Sequence, residues 1–180
     1  MINDSEIKKI IISSNTSWNI YNFRMHLIKE LLSRKKEIVI LSSRDNYTEK
    51  LVEVGCKFCE INISRSKINI VNNFIIFINF FLKIKKINPD LILSYTIKPN
   101  LFASLAARFY QIKIYNTITG LGSSFLQNNI LKYLIIKIYI YSLKKSDLII
   151  FQNKDDKDFF IKHKILKKQQ YDIIAGSGVD

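Results

Sequence analysis

Three polar stretches of the sequence carry residue types that bind sugars and phosphates. They are SSNTSWNIYNFR (13–24), SYTIKPN (94–100) and NTITGLGSSF (116–125), and each follows or completes a short apolar run. Ser, Thr and Asn side chains hydrogen-bond sugar hydroxyls, while Lys and the free N–H groups at the start of a helix attract anions. The stretches therefore predict one binding site, provided that the fold brings them together.

The first stretch is predicted to be a polar loop that leads into a helix. Its candidate binding residues are Asn15, Trp18, Asn22 and Arg24. Trp18, the only Trp of the chain, is predicted to lie in the loop, where it could stack on a sugar or face lipid. Asn15, Thr16 or Ser17 could instead simply cap the helix. Trp18 could equally be a plain anchor of the loop.

The second and third stretches add a cation, hydroxyl groups and glycines. The candidates here are Tyr95, Thr96, Lys98, Asn100, Thr119, Gly120 and Gly122. A Lys beside a helix N-terminus makes an anion site from its own charge and the helix dipole. The alternative is a solvated Lys98 in an ordinary helix that Pro99 initiates. The glycines allow close approach to the backbone. Because the third stretch lacks the Lys of a P-loop, it does not predict a nucleoside triphosphatase.

Other catalytic and cofactor patterns are scarce in the sequence. No G-x-G-x-x-G follows the first predicted strand, which argues against an NAD or FAD enzyme. The two His residues suggest no Ser/His/Asp arrangement, and Asp45 is kept only as a weak candidate at the ligand edge. Cys56 and Cys59 form a C-x-x-C, but without a second Cys pair or a nearby His they do not predict a zinc site. We expect them to be free thiols, buried or half-buried.

Short β-branched runs alternate with longer helical patterns along the chain. The predicted strands are 7–13, 36–43, 56–61, 90–95, 113–118, 147–152 and 171–175. The predicted helices lie near 20–34, 46–55, 69–87, 99–109, 129–145 and 154–166. This alternation predicts an α/β fold, a Rossmann-like parallel sheet of about seven strands with helices on both faces. Ligands bind at the carboxyl ends of the strands in such sheets, where the polar stretches would lie.

The net charge of +13 fits nucleic acid, an anionic membrane surface or a phosphorylated substrate as partner. A compositional bias toward Ile, Lys and Asn explains it as well, and the Lys residues form no continuous basic run. The apolar stretch 68–88 is interrupted by Asn and falls short of a membrane span, and no secretory signal opens the chain. We therefore expect a cytoplasmic protein that can touch the membrane.

Five stretches together closely resemble the family 4 glycosyltransferases. They are NTSWNIYNFR, SYTIKPN, NTITGLGSSF, LIIFQNKDDKDFF and the final GSGVD, in the family's order over about residues 8–180. The resemblance is nearest to the bacterial enzymes that add a sugar to a lipid-diphosphate-linked acceptor during polysaccharide or glycan assembly. One departure is SNTSW in the first loop, where many family members carry a glycine pair.

The resemblance implies the GT-B fold, in which two Rossmann-like domains face each other across a cleft. Residues 1–180 would form the N-terminal domain, which binds the acceptor and often rests on the membrane. The C-terminal domain, with the nucleotide-sugar site and the E-x7-E pattern, would be absent from this sequence. The family's reaction retains the anomeric configuration and needs no metal or other cofactor. Its transition state is oxocarbenium-like, with a leaving diphosphate that positive groups stabilise.

By the same resemblance, the candidates of the first two stretches would bind the acceptor, and Thr119, Gly120 and Gly122 would line the cleft. The apolar, Lys-bearing helices at 68–87 and 129–145 could lie against anionic lipid headgroups at the inner face of the membrane. The alternative for 68–87 is packing in the core.

Two functional classes follow. The leading hypothesis is the acceptor-binding half of a retaining glycosyltransferase, inactive alone, that acts on a lipid-linked glycan. The alternative is a non-catalytic subunit that recruits acceptor or membrane for a separate donor-binding chain. Half of a nucleotide-sugar epimerase is a further alternative, against which TIKPN together with TGLG argues. No specific nucleic-acid binding is expected.

Overall fold

The chain alternates strands and helices throughout residues 6–63, 70–120, 130–166, 170–174 and 176, which the structure, a computed structural model, describes. The strands are β1 (Lys9–Thr16), β2 (Glu37–Ser43), β3 (Lys57–Glu60), β4 (Leu91–Tyr95), β5 (Lys113–Ile118), β6 (Leu148–Phe151) and β7 (Gln170–Ile173). The helices are α1 (Ser17–Ser33), α2 (Thr48–Glu53), α3 (Ile70–Ile87), α4 (Ile97–Tyr110), α5 (Ile130–Leu143) and α6 (Lys154–Lys162).

The strands form one seven-stranded sheet in the order β3-β2-β1-β4-β5-β6-β7. Every neighbouring pair is parallel, from β2 beside β3 at one end to β6 beside β7 at the other. The predicted Rossmann-like fold with seven parallel strands is therefore confirmed. From β1 the chain runs through β2 to β3 at one end of the sheet, and it then returns to place β4 on the other side of β1. The strands β1 and β4, far apart in sequence, are therefore neighbours.

The two faces of the sheet are covered by different helices. Along β1, Ile10 and Ile12 pack with α1 and α2, while Ile11 between them packs with α3 and α4 on the opposite face. Each of these three side chains is at most 2% exposed, and burying an Ile stabilises a fold by roughly 1.5–3 kcal/mol. Crossovers between parallel strands are right-handed as a rule. The chain runs from β1 to β3 in one direction across the sheet and from β3 through β4 to β7 in the other, so the helices of the two parts cover opposite faces.

A third core cluster lies under α5 and α6. Phe151 of β6 packs edge-to-face on Phe160 of α6, with 5.1 Å between ring centroids. Tyr139 of α5 contacts the same Phe160 at 5.7 Å. Since the described helices after β4 contribute to the cores on one face, the other face of β4, β5 and β6 keeps an open groove beside α1.

The predicted boundary between the first strand and the first helix is wrong. The sequence predicts a strand over 7–13 and a helix from about residue 20, whereas β1 continues to Thr16 and α1 begins at Ser17. Thr16 is the N-cap of α1, and its side-chain oxygen accepts a hydrogen bond from the Asn19 N–H. This cap lets the helix start directly at the strand end, and it places Trp18 in the first helical turn instead of a loop.

Candidate functional site

The crevice between the carboxyl ends of β1 and β4 is the topological switch point of the sheet. Chain connections diverge there, and parallel sheets of this kind bind their ligands at such a point. The Asn15 N–H donates to Thr96 Oγ1 across this crevice, with 3.2 Å between the atoms. The first and second polar stretches, which are about eighty residues apart, are therefore brought together as the sequence predicts.

Thr96 adopts a strained backbone conformation in this crevice. Its φ of 65° and ψ of 162° lie in a region that residues other than Gly rarely occupy. Such a conformation costs about 1–3 kcal/mol and concentrates at functional sites. The Thr96 hydroxyl donates to the Tyr95 carbonyl and accepts from Asn15, so that two bonds hold it in place.

Two buried acceptor atoms at this edge have no hydrogen-bond partner among the described residues. They are Oδ1 of Asn15 and Oγ of Ser94, which lie near the ends of β1 and β4. A buried polar atom without a partner costs about 1–3 kcal/mol, so that each such atom calls for an explanation. A ligand that donates from a hydroxyl or amide group would satisfy Asn15 Oδ1.

Lys98 provides positive charge at the start of α4, beside the crevice. It is the second residue of the helix, whose first turn contains no acidic residue. The side chain is partly buried, and this burial lowers the pKa of Lys98. The lysine and the helix N-terminus together favour an anion over a neutral group at this position.

Arg24 and Tyr95 contact each other on the α1 side of β4. The Arg24 guanidinium carbon lies 4.2 Å from the centroid of the Tyr95 ring, and the two residues are only 7% and 5% exposed. Burial lowers the pKa of Arg24, while the neighbouring Tyr95 opposes that shift. Burial also raises the pKa of the Tyr95 hydroxyl. The pair thus stiffens the wall between α1 and β4, and both residues, although largely buried, line the open groove beside α1.

Asn100 lies inside the fold instead of at the ligand edge. It is 1% exposed, and its Nδ2 donates to the Thr117 carbonyl at 2.9 Å. Asn116 of β5 joins the same network, because its Nδ2 donates to Ser104 Oγ and its Oδ1 accepts from Ser146 Oγ. This network fixes α4 against β5 and encloses Asn100, whose predicted role in acceptor binding stays a prediction.

The third polar stretch lies at the end of β5, next to β4. Thr119 and Gly120 are half-buried, and Gly120 has a φ of +131° with open space where a side chain would start. A ligand could approach the backbone closely here. Gly122 lies outside the described residues.

Trp18 and Asn22 occupy the first turns of α1. Trp18 is 42% exposed, and its ring packs edge-on against Phe23 with 5.6 Å between centroids. Asn22 donates from Nδ2 to the Trp18 carbonyl at 2.8 Å, so it stabilises the helix turn. The Trp18 N–H donates to Asp45 Oδ2 at 2.8 Å. The interpretation of Trp18 as a loop residue is therefore wrong, although its ring is still accessible at this edge.

A chain of buried hydroxyl groups was missed by sequence reasoning. Thr48 Oγ1 donates to Ser17 Oγ, which lies 2.9 Å from Ser42 Oγ. The chain ties the segment after β2 to the start of α1. The only sequence signal for these bonds is the presence of hydroxyl residues at the strand ends. The bonded partners are 25 and 31 residues apart, so no local pattern predicts the pairing.

The two cysteines are free thiols, as the sequence predicts. Cys56 is buried and Cys59 is half-buried in β3. Burial raises the pKa of the Cys56 thiol to about 11, which keeps it protonated near neutral pH. Within residues that the structure describes, no three His, Cys, Asp or Glu side chains gather as a metal site would require.

The open groove beside α1 has a volume of about 550 Å³. Leu27 and Leu31 of α1 form one wall, and Leu93, Tyr115 and Ile150 of the sheet form the floor. The groove is mainly apolar, and it reaches the carboxyl ends of the strands, where Arg24, Tyr95, Thr117 and Gln152 also line it. Because Tyr95 is the last residue of β4, the groove adjoins the crevice between β1 and β4 on the α1 side of the sheet.

Helix α3 exposes an apolar surface on its outer side. Its exposed residues are Val71, Phe74, Ile75, Ile78 and Leu82, with exposures from 39% to 68%. Its inner side, with Ile76, Phe80 and Ile84, is buried in the core. The predicted core packing is thus confirmed for the inner side, while contact of the outer side with lipid headgroups stays a prediction. No helix in the described part of the chain is long and apolar enough to span a membrane.

Comparison with known protein sequences gives one family and a curated relative. The sequence profile described as "Glycosyl transferase 4-like" matches residues 9–153. The N,N'-diacetylbacillosaminyl-diphospho-undecaprenol alpha-1,3-N-acetylgalactosaminyltransferase of Campylobacter jejuni is 31% identical over 175 residues. The match covers 93% of this chain and 46% of that protein. The chain therefore spans about half the length of this curated relative.

Solved structures share the fold at low sequence identity. The structure of Anabaena Alr3699/HepE in complex with UDP and glucose has a TM-score of 0.67 and 11% identity, and the match covers 96% of this chain and 45% of HepE. The UDP-N-acetylglucosamine 2-epimerase of Rickettsia bellii has a TM-score of 0.61 and 14% identity, covering 92% of this chain and 44% of the epimerase. At identities of 11% and 14%, this likeness shows the Rossmann-like fold alone.

Proposed function

The chain belongs to the glycosyl transferase 4-like family, and from this premise we propose that it is the N-terminal, acceptor-binding domain of a retaining glycosyltransferase. The enzyme transfers a sugar from a nucleotide sugar to a lipid-diphosphate-linked glycan in polysaccharide or cell-surface glycan synthesis. The name of the Campylobacter jejuni relative describes such an acceptor, a sugar joined through a diphosphate to undecaprenol. Residues 1–180 bind the acceptor, and the nucleotide sugar is held by a second domain or by a separate donor-binding chain.

The observation that carries this proposal is the crevice at the switch point. Asn15, near the end of β1, is joined there to Thr96, directly after β4, and Asn15 Oδ1 is a buried acceptor without a partner among the described residues. A sugar hydroxyl or acetamido N–H can donate to that atom. The strain at Thr96 is consistent with a backbone shaped for a ligand.

Lys98 and the N-terminus of α4 suit the diphosphate of the acceptor. Their positive charges lie beside the crevice, so that the diphosphate and its attached sugar can occupy neighbouring positions along the same edge. Thr119 and Gly120, at the end of the adjacent β5, extend this edge with a hydroxyl group and an open backbone. Lys98 is therefore proposed to bind the diphosphate, and the network around Asn100 is proposed to position the lysine.

The experiment measures binding of the purified chain to polyprenyl-diphospho-N-acetylhexosamine in nanodiscs, with polyprenyl monophosphate as the comparison lipid. Lys98→Met removes the charge but keeps most of the apolar stem. Loss of a charge-assisted hydrogen bond weakens binding by about 10- to 100-fold. Lys157→Met is the matched control, because Lys157 is also a half-buried lysine near the start of a helix. Unchanged binding by Lys98→Met, or equal binding of both lipids, would contradict the proposal.

We also propose that the outer surface of α3 contacts the inner face of the cytoplasmic membrane. Its apolar residues end beside Lys83, Lys85 and Lys86, which suit anionic headgroups. Phe109 of α4 is 70% exposed and contacts Phe81, so the apolar surface continues onto the next helix. Such a surface would hold the crevice close to lipid-linked acceptors.

The epimerase alternative is not favoured by any particular contact in the crevice. Epimerases share only the fold at 14% identity, whereas the family match spans most of the chain. The reaction is proposed to require no metal or other cofactor, as the resemblance to the retaining family implies. A test with a chelator in the complete transferase system should leave sugar transfer unchanged.

A further inference from the structure

A pocket at the start of α1 and the end of β2 offers a distinct set of groups. It has a volume of about 430 Å³ and is lined by Thr16, Trp18, Asp45, Asn46 and Tyr47. Two aromatic rings, one carboxylate and one amide are groups that hold a pyranose, because a sugar ring has apolar C–H faces and a hydroxyl rim. The pocket lies one strand beyond β1 from the proposed diphosphate position at β4.

The walls of this pocket are held by their own hydrogen bonds. Asp45 accepts the Trp18 N–H at Oδ2 and the Tyr47 N–H at Oδ1, at 2.8 and 2.9 Å. The Thr48 hydroxyl accepts from the Asp45 N–H and also donates to Ser17. The Tyr47 ring packs against Tyr21 at 5.2 Å between centroids. The bonds to Asp45 hold the backbone of Trp18 and Tyr47, while contacts with Phe23 and Tyr21 support the two rings.

The charges of the pocket oppose an anionic ligand. The Trp18 N–H at the start of α1 is already bonded to Asp45, and the Asn19 N–H is bonded to Thr16. The helix N-terminus is thus satisfied by the protein, and a carboxylate lines the site. Arg44 is paired with Glu49 and Glu60, and Lys50 Nζ lies 4.7 Å from the Tyr47 ring centroid, but neither cation lines the pocket. The chemistry favours an uncharged sugar over a phosphate or a uronic acid.

We propose that this pocket binds an uncharged pyranose, with Trp18 and Tyr47 as its aromatic contacts and Asp45 as a hydroxyl acceptor. The pyranose is the acceptor sugar attached to the diphosphate. This one assignment rests on the proposed function. Asp45 then selects against acidic acceptor sugars. The pocket itself is defined by its side chains and can be tested without lipid, diphosphate or donor.

Trp18 makes the test direct because it is the only Trp of the chain and its fluorescence reports on the pocket. Methyl N-acetyl-β-glucosaminide and methyl glucuronide are titrated into the purified chain. The neutral glycoside should give a saturable shift of Trp emission. The glucuronide should bind about three- to fivefold more weakly, since a like charge at contact distance opposes it. Absence of any saturable shift with the neutral glycoside, or tighter binding of the glucuronide, overturns the proposal.

Tyr47→Ala removes one aromatic contact and leaves the reporter and the Tyr47 backbone bond in place. It should weaken binding of the neutral glycoside at least about fivefold. Tyr171→Ala is the control for loss of a tyrosine ring, because Tyr171 is 49% exposed, whereas Tyr47 is half-buried, and it lies in β7 at the far edge of the sheet. If the two substitutions weaken binding of the neutral glycoside equally and leave thermal unfolding unchanged, the proposed sugar pocket is refuted. A saturable Trp response without binding of lipid-diphosphate-linked sugar upholds the pocket and refutes the acceptor function.

Discussion

Replacing Phe74 and Leu82 together by Ser should release the chain from anionic membranes. The two side chains are 62% and 60% exposed, so about three fifths of each can still be removed from water. Complete burial of a Phe or Leu side chain is worth roughly 1.5–3 kcal/mol. The exposed part then contributes about 1–2 kcal/mol for each residue. The double substitution should therefore weaken membrane partition by about 2–4 kcal/mol, or roughly 30-fold or more.

The assay is co-sedimentation with phosphatidylethanolamine–phosphatidylglycerol vesicles at low ionic strength. A matched pair of single variants separates a docking surface from general stickiness. Ile75→Ser on α3 and Ile161→Ser on α6 change the same residue type at 53% and 47% exposure. Only Ile75→Ser should weaken binding, by about 5- to 10-fold. Wild-type binding by the double variant, or equal losses for the two single variants, would refute the proposed membrane surface.

Two further predictions concern the framework that positions the crevice. Asn116→Leu should lower the free energy of unfolding, measured by urea denaturation, by about 3–5 kcal/mol. The reason is that it leaves buried polar atoms of Asn100, Ser104 and Ser146 unpaired. A loss below about 1 kcal/mol would contradict this, because water or other groups would then replace the network. Asp90→Asn should cost about 1 kcal/mol at neutral pH, a value reduced for exposure, because Asp90 Oδ2 accepts from the N–H groups of Lys9 and Lys8. Those bonds, first that of Lys9, lower the pKa of Asp90. The wild-type advantage is therefore complete above the unfolded pKa of about 3.9 and disappears as pH falls through the lower folded value. A difference that persists unchanged in acid would contradict this assignment.

The sheet could be predicted because each strand has a local sequence signal, a short run of apolar residues. Runs such as the one containing Ile10, Ile11 and Ile12 are apolar on both sides of the strand, as a sheet covered on both faces requires. The helices between them follow from apolar spacing and from caps. The end of β1 was mistaken because Thr16, with Ser and Asn around it, reads equally well as part of a polar loop.

The site was less predictable because polar residues look alike in sequence whether they face a ligand or the core. Asn100 and Lys98 belong to the same short stretch, yet Asn100 is buried in a network and Lys98 lies at the edge. That difference depends on the rotation of α4 against β5. The contact between Trp18 and Asp45 joins residues 27 apart, and the strain at Thr96 depends on its neighbours in space. None of these has a local sequence signal.

The most direct test of the central claim is a binding competition on the chain itself. Nanodisc-bound polyprenyl-diphospho-N-acetylhexosamine and soluble UDP-N-acetylhexosamine are titrated against the purified protein. The acceptor assignment rests on the crevice of Asn15 and Thr96 and on the charge of Lys98. It predicts saturable binding of the lipid-linked sugar, with at least about tenfold lower affinity for the nucleotide sugar. Tighter binding of the nucleotide sugar would contradict it.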